Sequence, residues 1–289
     1  MVDALSVRAE VMRLLQAAEV PSPRADATAI VAHAVHLPPA KLITVADVTN
    51  EQQHRIAEWT ARRAAREPLQ HILGVAYFRH LMLAVGPGVF IPRPETEVLV
   101  DVCLQHVAKG QRVVDLCAGS GAIGLALATE GPALEVIAVE NQAAALRWLH
   151  RNTRTHAHAV ARAQGAFEVV EADATDHPLP GFEGSIDLVA TNPPYIPDDA
   201  TPIDPEVANY DPPAALYGGP DGLRTVRKLA MVAARLLRSG GWLVIEHGDQ
   251  QGSEIDGVPA LLTINGRFTN IIDVPDLAGR PRVTAARRV

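Results

Sequence analysis

Aromatic residues are scarce, 4% of 289 residues against 48% hydrophobic residues overall. Any core is therefore aliphatic and alanine-rich, and there is ample material for one. Cysteine is nearly absent: Cys103 and Cys117 are the only two. That excludes a disulfide framework and a cysteine-based metal site. Cys103 lies in an apolar helical stretch and reads as core. The eleven histidines are scattered, and His156 and His158, though close together, have no Cys, Asp or Glu beside them to complete a ligand set. They read as surface or loop histidines, and no metal is expected. Positive charge is in deficit, 26 basic against 33 acidic residues for a net charge of −7. This argues against broad sequence-independent binding to nucleic acid, which rests on phosphate neutralisation. There is no apolar run of membrane-spanning length. The opening Met-Val-Asp-Ala-Leu-Ser has neither the positive stretch nor the apolar segment of a signal peptide. The expectation is a cytoplasmic protein with no membrane partner.

The length suggests two domains or one large one. Residues 1–67 read as a small helical domain. Leu5, Val7, Val11, Leu14, Leu15 and Ala18 fit one helical face. Ser22-Pro23 resembles an N-cap followed by proline at the first helical position, and Pro38-Pro39 ends that second helix. Thr49 with Gln52 fits a capping box that opens a third helix. Arg62, Arg63 and Arg66 on that helix read as a solvated charged face, with a partner-binding face as the sharper alternative. Residues 68–91 read as a hairpin linker, with strands at Leu69–Phe78 and Leu81–Val85 and a turn at Gly86-Pro87-Gly88. From 92 to 289 a helix through Val98 and Val102 is followed by alternating strands and helices. Strands are predicted at 112–116, 134–140, 167–171, 186–191, 241–246, 267–274 and 281–288, with helices at 121–129, 142–155 and 221–238. Such alternation argues for an α/β domain with a largely parallel sheet covered on both faces.

One tetrapeptide states a chemical problem. Asn192-Pro193-Pro194-Tyr195 follows the apolar strand Asp187–Thr191. A planar NH2 group, on an amide or an exocyclic base amine, is a poor nucleophile because its lone pair is delocalised. A site that alkylates it must accept hydrogen bonds from its N–H groups. The Asn192 oxygen and the Pro193 carbonyl are suitable acceptors. Pro193 and Pro194 stiffen the turn, and the Tyr195 ring offers a flat face. By itself Asn-Pro-Pro is also an ordinary exit from a strand.

A second constellation surrounds it. Arg112-Val-Val-Asp115-Leu-Cys117-Ala118-Gly119-Ser120-Gly121 follows a strand and opens a helix. A glycine turn there lets a ligand approach the backbone closely, at the carboxyl edge of the sheet where open α/β folds bind ligands. Asp115 is placed either to orient the loop or to reach an ammonium group. Glu140 ends the next strand, where it can accept two ribose hydroxyls. Asp173-Ala174 follows the third strand, at an adenine edge, and Asn192 follows the fourth, beside the transferred methyl. Acidic groups ending successive strands suit the amino-acid nucleoside S-adenosyl-L-methionine better than a pyrophosphate, which favours a glycine-rich helix N-terminus without a carboxylate nearby.

These residues resemble the class I S-adenosylmethionine-dependent methyltransferases, and more narrowly the HemK/PrmC family of protein-(glutamine-N5) methyltransferases. The resemblance spans nearly the whole chain. It includes Gly88-Val-Phe-Ile-Pro-Arg-Pro-Glu-Thr-Glu97, the Asp115–Gly121 loop, Asn192–Ile196, Glu206-Val with Tyr210-Asp-Pro212, Leu216 with Gly219 and Asp221-Gly-Leu223, Glu246-His-Gly248 with Gln250, and the closing Asp276–Arg280 with Ala286-Arg-Arg288. It implies a seven-stranded Rossmann-like domain with one antiparallel strand, preceded by a small helical domain for partner recognition. It also implies methylation of the Gln in the Gly-Gly-Gln loop of class 1 peptide chain release factors, with S-adenosyl-L-homocysteine as product. Arg93 and Glu95 either fix the linker against the substrate site or form an inter-domain salt bridge. The sequence departs from the family at Cys117-Ala118, where glycine followed by a small residue is usual, at Glu140-Asn141 and at Asp173-Ala174. The first of these is tolerable if residue 117 is not at positive φ. At 251–266, Gly257 and Pro259 interrupt an expected helix. A ribosomal-protein glutamine, an adenine N6 amine in nucleic acid, and a non-catalytic cofactor-binding adaptor are the competing readings. The acidic balance weighs against the adenine, and the intact Asn-Pro-Pro-Tyr against the adaptor.

Overall fold

The structure, a computed structural model, describes residues 2–45 and 47–289. It divides into two compact units. One comprises the described residues up to Val75 together with Pro202–Tyr210; the other comprises Ala76–Thr201 and Asp211–Val289. The break after Val75 falls inside the 68–91 segment that reads as a linker, and the first unit takes in a distant segment to which the sequence does not point.

In the first unit, α1 (Ala4–Ala17), α2 (Pro23–Ala34) and α3 (Asn50–Ala64) pack around Val11, Leu15, Ile30, Val31, Leu42 and Ile56. Helix starts are fixed by side chains. The Asp3 carboxylate accepts the N–H groups of Leu5 and Ser6, both at 3.0 Å. Thr49 and Gln52 form the reciprocal capping box that their spacing predicts. Ser22 occupies the N-cap of α2 ahead of Pro23, but its side chain makes no capping bond.

Arg62 and Arg63 near the end of α3, and Arg66 just beyond it, are not a solvated face. Arg63 is buried and donates from Nε to Asp26 Oδ2 at 2.7 Å and from Nη1 to Glu206 Oε1 at 2.8 Å. Arg66 forks onto both Glu206 oxygens at 2.8 and 2.7 Å, and Arg62 pairs with Glu67 at 2.6 Å. Burial works to raise the Glu206 carboxyl, but the hydrogen bonds from Arg66 and Arg63 outweigh it and hold it down at about 2. A buried guanidinium needs such partners, and one of them lies 140 residues away from Arg66, so helical spacing alone gave no sign of it.

The predicted strand at Leu69–Phe78 is instead a short helix, α4 (Leu69–Leu73), followed by β1 (Val75–Phe78). Leu69, Ile72 and Leu73 stand at i, i+3 and i+4, a helical spacing, and Gly74 at φ 71° closes the helix in the left-handed conformation. β1 pairs with β2 (Leu81–Ala84) as a two-stranded sheet.

The second unit alternates α5 (Glu97–Gln105), β3 (Arg112–Leu116), α6 (Ala122–Glu130), β4 (Glu135–Glu140), α7 (Ala143–Arg162), β5 (Ala166–Glu171) and β6 (Ile186–Thr191). After α8 (Pro205–Tyr210), which belongs to the first unit, come α9 (Pro213–Leu216), α10 (Arg224–Leu236), β7 (Leu237–Glu246), α11 (Val258–Asn265), β8 (Phe268–Pro275) and β9 (Pro281–Arg288). The seven strands lie in the order β5-β4-β3-β6-β7-β9-β8. β9 pairs antiparallel with both neighbours, so it alone runs against the other six, as the family resemblance implies. Period-two alternation feeds two cores. Val113, Val136 and Leu188 face one layer with α5 and α6, while Val114, Leu116, Ile137 and Val139 face the other with α10. Cys103 is fully buried, as its surroundings predict. His156 and His158 lie on α7 rather than in a loop, and His158 is exposed, in keeping with the surface reading. The 251–266 segment does hold a helix: Gly257 stands at the N-cap of α11 and Pro259 in its first turn, where proline costs no hydrogen bond.

Candidate active site

The chain runs from β3 outward to β4 and β5, then returns to β6 on the other side of β3. The carboxyl ends of β3 and β6 are thus a topological switch point, where open sheets bind ligands. Thr191 Oγ1 donates to Leu116 O at 2.7 Å and ties these two strand ends together. The residues singled out from the sequence lie at the carboxyl ends of neighbouring parallel strands: Asp115 is the penultimate residue of β3, Glu140 the last of β4, Asp173 lies two past β5 and Asn192 directly follows β6.

Asp115 is fully buried. Its Oδ2 accepts the Gly124 N–H at 2.9 Å, and its Oδ1 has no hydrogen-bond partner. Burial pushes its carboxyl up to about 7, against the pull of the Gly124 N–H, with the Glu140 charge adding to the rise. The loop that follows alternates left-handed residues: Cys117 at φ 64°, Gly119 at 56° and Gly121 at 85°. Cys117 therefore does stand at positive φ, contrary to the condition under which its departure from glycine is free. A side chain there costs about 1–2 kcal/mol. Burial, with the nearby Glu140 and Asp115 charges, pushes its thiol well up, away from thiolate reactivity. Ala118 N donates to Val139 O at 3.0 Å, which pins the loop to β4. The Ser120 carbonyl accepts from Asn152 Nδ2 at 2.9 Å.

Glu140, also buried, accepts the N–H groups of Gly119 at 2.8 Å, Asn141 at 2.9 Å and Gln142 at 2.8 Å. A carboxylate offers about four acceptor directions, so one remains on Oε2, fewer than two ribose hydroxyls would need. Asp173 is exposed and closes its own turn by accepting from the Thr175 N–H and hydroxyl, both at 2.8 Å. Ala174 is buried in the core. The crevice is thus lined with carboxylates, one of which carries an orphaned buried oxygen. Ammonium and hydroxyl donors complement that set, whereas a pyrophosphate would be repelled by it. Among the described residues, no cluster of three or more His, Cys, Asp or Glu side chains is placed to hold a metal ion.

Asn192 emerges from β6 with Nδ2 donating to Thr96 Oγ1 at 3.2 Å, which leaves its Oδ1 as the free face of the amide. The rest of the motif is held by its backbone. Ile196 N donates to Leu216 O and Gly218 N to Ile196 O, both at 2.8 Å, and Gln251 Nε2 donates to Tyr195 O at 3.0 Å. Gly218 and Gly222 lie so close that a Cβ on the first would collide with the Pro194 carbonyl, and on the second with that of Tyr195. Pro193 is buried. The Tyr195 hydroxyl lies 3.5 Å from Glu246 Oε1. Burial and then the Glu246 charge push its phenol well up, with Arg282 opposing.

Arg93 and Glu95 enter ion pairs within this unit. Arg93 meets the fully buried Asp211 carboxylate at 2.5 Å and lies over the Phe90 ring. Glu95 pairs with Arg280 at 3.4 Å.

Sequence reasoning gave no site role to Glu246 or Thr96. Glu246 ends β7 at 2% exposure. Burial pushes its carboxyl up to about 7, while the facing Thr96 hydroxyl and Arg282 work against the rise. Its Oε2 has no partner that meets hydrogen-bond geometry. The rule that drew attention to Glu140, an acid ending a parallel strand, applies equally to Glu246. Thr96 carries no such signal, because its partner, Asn192, comes from the far end of β6, 96 residues away.

The PrmC N-terminal domain family matches residues 6–74, and the Methyltransferase small domain family matches residues 84–206. A protein named Release factor glutamine methyltransferase, from Mycolicibacterium smegmatis, is 43% identical over 277 residues, 95% of this chain and 94% of that one. A 4-amino-L-phenylalanine/4-methylamino-L-phenylalanine methyltransferase from Streptomyces pristinaespiralis is 38% identical over 259 residues, 87% of this chain and 84% of that one. Among solved structures, the T. Thermophilus 16S rRNA N2 G1207 methyltransferase in complex with AdoMet and guanosine is similar in fold at a TM-score of 0.50 and 22% identity, covering 74% of this chain and 50% of that one.

Proposed function

Since the chain belongs to the family of release factor glutamine methyltransferases, we propose that it transfers a methyl group to the side-chain amide nitrogen (N5) of the Gln in the Gly-Gly-Gln loop of class 1 peptide chain release factors. The observation that carries the chemistry is the Asn192 amide, tethered at Nδ2 and open at Oδ1, at the strand end beside the carboxylate-lined crevice. S-adenosyl-L-methionine, when bound, supplies an electrophilic sulfonium methyl and leaves as S-adenosyl-L-homocysteine.

The residues of this chain do the positioning. With the cofactor bound, Asp115 would hold its ammonium, Glu140 a ribose hydroxyl and Asp173 the adenine edge. Asn192 Oδ1 and the Pro193 carbonyl accept the two N–H bonds of the substrate amide, turning its lone pair toward the methyl donor. Tyr195, fixed through its carbonyl and hydroxyl, packs on the amide plane. Arg93 and Glu95 anchor the linker through Asp211 and Arg280 and so keep Thr96 in place. The two oxygen acceptors would stabilise the positive charge that develops on the substrate nitrogen, and the N–H proton is then given up to solvent. No side chain in the tetrapeptide is a strong base, so the rate rests on orientation, which can contribute roughly 7–11 kcal/mol, and on acceptors preorganised for the developing charge. Residues up to Val75 with Pro202–Tyr210 serve partner recognition in this reading.

The test is transfer of labelled methyl to purified release factor, its loop Gln→Ala variant, ribosomal proteins, unmethylated DNA and 4-amino-L-phenylalanine in parallel. Label in release factor that disappears in the Gln→Ala variant is the expected result. Label confined to any other acceptor overturns the substrate assignment and leaves the methyl-transfer chemistry standing.

A further inference from the structure

We propose that the outward face of α7 docks an acidic segment of the protein substrate, through Arg147, Arg151, Arg154 and Arg162. The inference rests on the reading of this chain as a methyltransferase acting on a protein, and it names a surface that holds that partner outside the crevice. α7 carries four arginines and three histidines but no Asp or Glu. Arg147, Arg151, Arg154, His158 and Arg162 stand at i, i+4, i+7, i+11 and i+15, so they fall in one stripe along the helix. All five are exposed, while Leu146, Leu149 and Val160 are buried on the other side. At 1.5 Å per residue the stripe is about 22 Å long.

Other helices of the chain balance their exposed arginines. On α1, Arg13 pairs with Glu10 one turn before it, and on α3 Arg55 and Arg62 pair with Glu51 and Glu58. On α7, among the described residues, no carboxylate pairs with any of the four guanidinium groups; Arg151 alone has a partner, the Trp148 ring at 6.0 Å. Like charges one turn apart repel and weaken a helix. Only Arg162, in the last turn, sits where the helix dipole favours a cation. An anionic partner relieves that repulsion, and guanidinium groups fork onto carboxylates. The chain as a whole has a net charge of −7. A long polyanion such as RNA therefore runs off the stripe onto like charge, whereas an acidic segment of roughly four helical turns ends where the stripe ends. The stripe also begins beside the crevice. Gln142, the N-cap of α7, donates its N–H to Glu140 at 2.8 Å. Trp148 Nε1 donates to Pro87 O at 3.3 Å, in the segment that runs on to Thr96 and its bond with Asn192.

The experiment measures KM for release factor, kcat and cofactor affinity for wild type, R147Q/R151Q/R154Q and R147K/R151K/R154K, each at low and at high salt. The Gln variant keeps long helix-forming side chains and removes the charge. It is expected to raise KM about 10-fold or more at low salt, the lower range of what steering by a charged patch contributes, with kcat and cofactor affinity unchanged. Wild-type KM is expected to climb with salt, and that of the Gln variant to climb less, because screening removes what the substitution has already removed. The Lys variant keeps the charge and is expected to restore most of the lost affinity. An unchanged KM in the Gln variant at both salts overturns the proposal. A fluorescent single-stranded RNA is titrated in parallel: binding to wild type that the Gln variant loses, with KM for release factor unmoved, assigns the stripe to nucleic acid and overturns the protein partner. No label in release factor from wild type instead overturns the substrate reading beneath it. Should the triple Gln variant fail to fold, R154Q/R162Q carries the same comparison.

Discussion

Asp115 is buried and only half satisfied: one oxygen takes the Gly124 N–H and the other has no partner. Burial is what lifts its carboxyl to about 7, so it is largely protonated below that pH. A cationic ammonium beside it favours the charged form. Cofactor binding near pH 6 is therefore expected to release a proton, and affinity to rise as pH goes up through about 7 and then level off. Calorimetry in buffers of different ionisation enthalpy checks this, and Asp115→Asn is expected to abolish both the proton release and the pH dependence. Cys117 makes a separate point. It stands where left-handed backbone favours glycine, and nothing in the surrounding sequence reveals a dihedral angle.

At the scale of elements, the site depends on how tightly the segment Leu216–Leu223 embraces Asn192–Ile196. Gly222 is at φ 72°, and a Cβ there would strike the Tyr195 carbonyl. Gly222→Ala is expected to displace the tetrapeptide and lower kcat at least 10-fold, while cofactor affinity, set by β3 and β4, stays within about twofold; an order-of-magnitude loss from a small misplacement is in line with the sensitivity of oriented sites. Equilibrium binding and single-turnover rates separate the two effects.

Elements of this kind divide the readable from the unreadable. The central strands are legible because Val113-Val114 and Leu188–Ala190 are short apolar runs punctuated by loop residues, and Asp115, Glu140 and Asn192 are legible because they stand at or near the ends of such strands. Leu69–Leu73 was misread because a short apolar run fits strand and helix alike. The Thr96–Asn192 contact spans 96 residues, and no local pattern encodes it.

At the scale of the whole molecule, the chain leaves the catalytic unit after Thr201, contributes Pro202–Tyr210 to the helical unit, and returns at Asp211. Glu206, on that excursion, satisfies Arg63 and Arg66 at once. Removing its charge leaves a buried guanidinium short of a partner. Glu206→Gln is expected to destabilise the helical unit by roughly 1.5–3 kcal/mol, the usual worth of hydrogen bonds to charged groups, seen as an earlier thermal transition. Because the folded carboxyl is held below its ordinary 4.5, at about 2, its contribution is complete above pH 4.5 and is lost as pH falls through about 2. The difference between wild type and Glu206→Gln is expected to narrow over that window.

Catalysis turns on the Asn192 amide. The most direct test compares turnover and cofactor affinity in Asn192→Ala and wild type, with release factor as acceptor. A loss of about 10²–10³-fold in kcat, the scale seen when one preorganised partner of a developing charge is removed, with cofactor affinity unchanged, is the predicted result. Wild-type turnover, or a loss that follows cofactor affinity alone, would contradict the claim that Asn192 orients the substrate amide.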